Sequence, residues 1–370
     1  MCAFHLLINK LVIENLKHRP VRTLLSALAV GVQVTMILTL VGISKGMLED
    51  QAVRAKGVGA DLSIRPPGSS AIGLSGNFDE RILPFVQKQP HVALATGVLI
   101  APTGPITSIT GVDFPTFSRM SGRFRFLEGR PIEHTDEVIV DEYYAKEHQL
   151  HPGSTVKIFN REWKVCGVFE QGKLARIIIP LDILQKLTAN TGKLSIIWVK
   201  LDDPSRTNEV IAELRRAGLA EYQIWSMADL ISQMSPNNIP VLKTFTAVVI
   251  GLGVVIGFLV VFLSMYTAVL ERTREIGVLK ALGATPAYIV GILLRETALL
   301  AIFGTIAGII LSFGSRWLIE TLVPGSLTQA IVPDWWPIAG LIAMGGSLLG
   351  AAYPGLKAAR QDAIEALSYD

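Results

Sequence analysis

Glu271-Arg272-Thr273-Arg274-Glu275-Ile276-Gly277-Val278-Leu279-Lys280-Ala281-Leu282-Gly283-Ala284 lies between two long apolar runs, and its reading decides how the rest of the chain is arranged. Dense in charge and closed by Gly283-Ala284 ahead of Thr285-Pro286, it reads as a short helix on a membrane surface that breaks before the next span. The flanking runs, 244–270 and 297–315, carry no charge, and two further uncharged runs lie at 23–44 and 335–356. A helix needs roughly 20 residues to cross a hydrocarbon core of about 30 Å, so each run can span it. Four transmembrane helices are expected.

Composition agrees. The 370 residues are 50% hydrophobic and 18% charged, with a mean hydropathy of +0.44, too oily for an ordinary soluble protein. The formal charge is only +3, and the basic residues matter by position. Lys10, Lys17, Arg19 and Arg22 precede the first span; Arg272, Arg274, Lys280 and Arg295 separate the second from the third; Lys357 and Arg360 follow the fourth. The positive-inside rule puts all three groups in the cytoplasm, with both termini, in a cell inner (plasma) membrane. Residues 45–243 and the loop 316–334 then face outside. The first run is longer than a signal core and lacks a clean cleavage pattern, so it reads as a retained anchor. Cys2 and Cys166 fall on opposite sides of the membrane, so no internal disulfide is expected.

At the start, Phe4, Leu7, Ile8 and Leu11 oppose Lys10, Glu14 and Lys17, the pattern of an interfacial amphipathic helix ended by Pro20. Beyond residue 60 the grammar changes to an α+β domain. Strands are expected at 61–65, 92–101, 106–112, 137–140, 155–159, 162–169, 175–179, 194–201 and 223–226. Helices are expected at 79–89, 141–148 and 204–217, and a hairpin turn at Asn160-Arg161. Within the spans, Gly253-x-x-x-Gly257, Gly304-x-x-x-Gly308 and Gly346-x-x-x-Gly350 allow helices to approach closely. Trp335 and Trp336 stand where the outer interface belongs.

The 271–284 stretch closely resembles the signature of the FtsX/MacB-like ABC transporter permeases. Glu296 looks like the family's acidic residue in the third span. Tyr353-Pro354, Lys357-Ala358-Ala359-Arg360 and Ile364-Glu365-Ala366-Leu367 resemble its closing motif, and His18-Arg19-Pro20-Val21-Arg22-Thr23-Leu24-Leu25-Ser26 its approach to the first span. Glu128-Gly129-Arg130, Glu137-Val138-Ile139-Val140 and the segment 152–168 look like the MacB-type periplasmic core domain. The resemblance implies an integral membrane α-helical protein with a two-lobed α+β extracytoplasmic domain inserted between helices 1 and 2. Its parts would be an interfacial helix at 1–20, a first span and stalk at 21–45, and an outer domain at 46–240. One lobe of that domain would comprise 46–113 plus 194–240, and the inserted lobe 114–193. A second span at 243–270, a coupling helix at 271–285, a third span at 286–318, an outer loop at 319–334, a fourth span at 335–356 and a tail at 357–370 would follow. The permease-like region would cover 245–365.

It further implies an ATP-binding partner subunit that rests under the coupling helix, and a second copy of this chain or a sister permease. Membrane lipid, and a periplasmic adaptor or lipoprotein, are also expected partners; nucleic acid is not. No Gly-x-x-x-x-Gly-Lys-Ser/Thr occurs, so ATP and Mg are expected in the partner chain and no cofactor in this one. The expected coupling residues are Glu271, Arg272, Arg274, Glu275, Ile276, Gly277, Leu279, Lys280, Gly283 and Ala284. Mixed charge suits a protein surface better than a lipid surface, with Ile276, Leu279 and Leu282 seating the helix.

Glu296 needs a partner or a water path near the hydrocarbon edge, and the expectation is a brace to a basic residue of the coupling segment. His148, His151 and Glu147 are too few and too loosely spaced for a zinc signature, and Arg119, Arg123 and Arg125 read as a solvated face. Nothing in the chain has the spacing of a nucleophilic or metal-dependent catalytic motif, so a non-catalytic subunit is expected. Few polar groups lie in the spans, which disfavours a wet central channel. Export or extraction of a hydrophobic substrate, lipid or lipoprotein by mechanotransmission is the leading reading, and a non-transporting regulatory transducer of a cell-envelope enzyme the alternative.

Overall fold

The structure, a computed structural model, describes residues 20–71, 73–104, 107–122, 124–235, 238–323 and 327–360. The expected helix over 1–20, Cys2, Arg123 and the closing Ile364-Glu365-Ala366-Leu367 lie outside these. The chain divides into two units, one of residues 1–43, 241–318 and 329–370 and one of residues 44–240 and 319–328.

Helix α1, described over Pro20–Lys56, runs on past residue 45, the expected end of the stalk. The outer unit continues with β1 (Leu62–Arg65), β2 (Phe78–Asp79), α2 (Ile82–Gln87), β3 (Val92–Pro102), β4 (Ser108–Val112), α3 (Phe114–Met120) and β5 (Phe126–Gly129). Then come β6 (Glu137–Asp141), α4 (Glu142–His148), β7 (Thr155–Ile158), β8 (Arg161–Phe169), β9 (Ile177–Pro180) and α5 (Leu181–Leu187). β10 (Lys193–Leu194), β11 (Ile196–Leu201), α6 (Thr207–Leu214), β12 (Gln223–Ser226) and α7 (Met227–Gln233) complete it.

Ten strands form one sheet in the order β12-β1-β11-β3-β4-β9-β6-β8-β5, with β7 pairing β8 alone. The five strands β12, β1, β11, β3 and β4 come from the two ends of the domain. The rest come from the segment between, and the halves join where β4 meets β9 in parallel, Thr110 opposite Ile178. Both faces are covered. Trp198, Phe117, Met120 and Phe169 fill one core, while Leu62, Ile64, Ile197 and Val199 pack with Val210 and Leu214 of α6 on another. That is why Val138-Ile139-Val140 of β6 and Ile177-Ile178-Ile179 of β9 read as unbroken apolar runs, while β1 buries even Ser63 and Arg65 alongside its apolar residues.

The β7–β8 hairpin turns one residue earlier than the sequence reading places it. Ile158 pairs Arg161, leaving Phe159 and Asn160 as the two turn residues at φ 52 and 58, the left-handed pair that matches strand twist. A phenylalanine rarely marks such a position, so the signal was weak. The seven-residue helices α3, α5 and α7 were also not expected, being too short to show a helical period.

The membrane unit contains the first part of α1 with α8 (Pro240–Glu271), α9 (Thr273–Ala281), α10 (Pro286–Leu322) and α11 (Trp335–Arg360). The four long helices are apolar enough to cross a membrane.

Candidate coupling site

Helix α8 ends at Glu271 and α9 starts at Thr273, so Arg272, at φ −110 and ψ 15, is the break between span and short helix. Its side chain turns inward. Arg272 Nη1 donates to Glu296 Oε2 at 3.1 Å, and both residues are buried, at 8% and 2% exposure. An ionised pair at this depth is tolerable only because each partner compensates the other. The link pins the break to α10.

The far end of α9 is closed by backbone geometry. Gly283 stands at φ +94, Gly283 N–H donates to Lys280 O at 2.9 Å and Ala284 N–H to Leu279 O at 3.0 Å. These are the two bonds of a Schellman stop, for which the sequence needs a residue free to adopt positive φ.

Burial sorts the expected coupling residues into two faces. Ile276 and Gly277 are buried, Ile276 in a small core with Val269, Ile289, Leu293, Ala358 and Ala359. Lys280 also turns toward the chain, its Nζ donating to Ala359 O at 2.9 Å in the last turn of α11, where a cation suits the helix end. Glu271, Arg274, Glu275 and Gly283 are exposed, Leu279 and Ala284 half-buried. Leu282 is 80% exposed, so it does not seat α9 on its own helices; Ile276 does. Val278, 45% exposed, belongs to the outward face and was not singled out, because i, i+4 spacing to Leu282 becomes meaningful only once the buried face is known.

The glycine pairs lie at helix crossings. A Cβ on Gly308 would come 2.6 Å from Gly31 O, and one on Gly304 would meet Ala27 O at 2.8 Å, so α1 and α10 touch through backbone. Gly31 is the reciprocal residue; the Ala27-x-x-x-Gly31 spacing could have found it. Gly253 and Gly257 face Met36 and Gln33 of α1, and Gly350 faces Phe258 O of α8 at 2.7 Å. Gly346 is different: its nearest neighbours are ordinary contacts at 3.6 and 3.7 Å.

Several polar side chains in the spans meet one another or backbone, while Gln33 Nε2 and Ser347 Oγ are buried without a hydrogen-bond partner among the described residues. Thr35 Oγ1 donates to Gly308 O at 3.0 Å, Thr39 and Ser315 hydroxyls lie 2.8 Å apart, and those of Ser26 and Ser264 2.5 Å apart. Beside Thr35 and Thr39 runs an open groove of about 480 Å³ lined by Val32, Met36, Leu40, Ile43, Val249 and Leu311.

In the outer unit, Asp50 of α1 accepts from Arg54 at 3.0 Å and from Arg176 at 3.2 Å, and Arg176 stacks over Tyr143. Asp141 caps α4 through Tyr144 N–H at 2.8 Å, and its burial pushes the carboxyl up to about 6 despite Arg176 and Arg54 nearby. Glu137 goes the other way. Burial opposes its charge, but the Arg130 guanidinium and the N–H groups of Glu133 and His134 overcome that and hold it at about 2. His151 pairs with Glu128 at 3.2 Å.

Residues 23–217 match the MacB-like periplasmic core domain and residues 247–363 the FtsX-like permease C-terminal region. The chain belongs to the MacB-like family. It is a membrane protein with a large extracytoplasmic domain inserted between its first two spans. The uncharacterized ABC transporter permease MJ1507 of Methanocaldococcus jannaschii is 26% identical over 258 residues, covering 65% of this chain and 64% of that protein. The macrolide export ATP-binding/permease protein MacB of Nitrobacter winogradskyi is 26% identical over 390 residues, covering 94% of this chain and 58% of that one. This chain thus spans 64% and 58% of the length of these two relatives. The periplasmic region of MacB from Actinobacillus actinomycetemcomitans, a solved structure, is 18% identical with a TM-score of 0.38, over 48% of this chain and 94% of that one.

Proposed function

We propose that this MacB-like chain is the permease subunit of an ABC transporter complex, non-catalytic itself, in which a separate ATP-binding subunit carrying ATP and Mg docks on α9. The observation that carries the reading is the division of α9. Ile276, Gly277 and Lys280 hold it to its own spans, while Arg274, Glu275, Val278 and Leu282 present charge and apolar surface outward. A lipid anchor needs only cations there; a mixed outward face suits a protein.

In this reading both termini lie in the cytoplasm, two copies or a copy and a sister form the membrane core, and movement of α9 passes through α8 and α1 to the outer domain. The substrate is hydrophobic, a lipid or lipoprotein among the candidates, handed on outside to an adaptor where one exists. The lipid-open groove beside Thr35 and Thr39 supports lateral access, as does the pairing of span hydroxyls with one another rather than along a pore. The names of relatives assigned macrolide export favour efflux.

The test is ATP turnover of the chain co-expressed with an ATP-binding subunit and purified in lipid, with and without reversal of Glu271 and Glu275 to lysine. Coupled turnover that the reversal abolishes supports the reading. Unchanged recruitment and turnover in the reversed variant sinks it.

A further inference from the structure

Helices α8 and α11 cross closely at Gly350 and continue side by side toward the end of α11. Along that seam α8 carries a row of rings, Phe258 to Phe262 and Phe262 to Tyr266, each pair 6.1 Å apart and nearly parallel. Tyr353 of α11 joins the row 5.9 Å from Phe262, and it is 60% exposed. At the end of the row Lys357 Nζ donates to Tyr266 Oη at 3.0 Å and lies 4.9 Å from the centre of that ring.

This cation is treated differently from the others near it. Arg272 is neutralised by Glu296, whereas among the described residues Lys357 meets a neutral phenol and its ring face. Both hold the ammonium in place, and neither cancels its charge. Arg360, one turn further on, is exposed as well. Lys357 is 22 residues beyond Trp335, or about 33 Å at a helical rise of about 1.5 Å per residue. With Trp335 at one interface, that distance brings Lys357 to the opposite edge of a hydrocarbon core about 30 Å thick.

The seam thus has the order of an amphiphile: paired cations and a hydroxyl at the headgroup level, then half-exposed aromatic faces along the acyl region. We propose that Tyr266, Lys357 and Arg360 bind the headgroup of an anionic phospholipid whose acyl chain lies against Phe262 and Tyr353. Lys357 meets the phosphate, and Tyr266 holds Lys357 in position.

The test is native mass spectrometry of the full chain released from membranes of equal phosphatidylglycerol and phosphatidylcholine. Wild type retains phosphatidylglycerol in about fivefold preference, as one interfacial lysine warrants. Lys357→Gln removes most of the preference and leaves only the share Arg360 supplies, Tyr266→Phe reduces it less, and Lys357→Arg keeps it, all with unchanged thermal unfolding. Millimolar glycerol phosphate leaves it intact, which distinguishes a lipid from a free phosphate. Equal retention of the two lipids by wild type, an unchanged preference in Lys357→Gln, or displacement by glycerol phosphate overturns the proposal. Should Lys357→Gln unfold, the contrast between Tyr266→Phe and Lys357→Arg decides. None of these readings involves an ATP-binding subunit, so their failure leaves the coupling assignment untouched.

Discussion

Arg272 and Glu296, 24 positions apart in sequence, meet at 3.1 Å, both buried, and tie the break between α8 and α9 to the third turn of α10. Removing one partner takes away the opposite charge that compensates the other at this depth. Arg272→Ala or Glu296→Ala should therefore cost about 3–5 kcal/mol, while an apolar pair of similar volume, Arg272→Met with Glu296→Leu, recovers most of it. Thermal unfolding of the three variants in lipid nanodiscs checks this, and equal losses in singles and double would contradict it.

The glycine contacts give a graded expectation. Gly308→Ala forces a Cβ to within 2.6 Å of the Gly31 carbonyl, which only a shift of α1 against α10 can relieve. Overpacking of that kind costs about 1–3 kcal/mol. Gly346→Ala meets its nearest neighbour at 3.6 Å and should be neutral within about 0.5 kcal/mol. The same unfolding measurement separates the two, and comparable losses at both sites would show that crossing distance is not what selects glycine here.

The contrast shows what was legible in sequence. The spans were, because uncharged runs as long as 244–270 have few other uses. So was the stop of α9, since Gly283 ahead of Pro286 leaves the chain little choice. A brace from Glu296 to a basic residue of the segment and a seating role for Ile276 were expected and are found, but that Arg272 is the partner and that Lys280 also turns inward was not legible: it is decided by α10 and α11, whose packing no local pattern encodes. Gly346 and Gly350 share one motif, and only the crossing with α8 tells them apart. In the outer domain nine of the ten strands of the sheet were expected from the sequence, and the edge strand β5 (Phe126–Gly129), with only two apolar residues, was not. The placement of Phe159 at a left-handed turn position and the seven-residue helices did not, since tertiary packing overrides weak local preference there.

Gly283 closes α9 at φ +94, with open space around the position of a Cβ. Any penalty for Gly283→Ala is thus one of backbone conformation, about 1–2 kcal/mol. Hydrogen exchange of 273–284 in the full chain should quicken while exchange in the spans stays unchanged. Equal protection in the variant would mean that the stop does not depend on this glycine.

Asp141 sets a pH dependence whose sign can be worked out. Its carboxyl titrates near 6 when folded, because burial disfavours the charge, against about 3.9 in an unfolded chain. The folded value is the higher one, so the stability it contributes is full below about pH 4 and is lost as pH rises through about 6. Asn in its place keeps an acceptor for the α4 cap, since Asn and Asp cap equally well, and has no charge to desolvate. Asp141→Asn should therefore raise stability by ~1–3 kcal/mol at pH 7.5 and change little at pH 4. Protection of residues 137–148 against hydrogen exchange, followed across that range in both proteins, reads it out. A variant that is less protected at pH 7.5 would show that Arg54 and Arg176, near the carboxylate, stabilise its charge by more than burial opposes it.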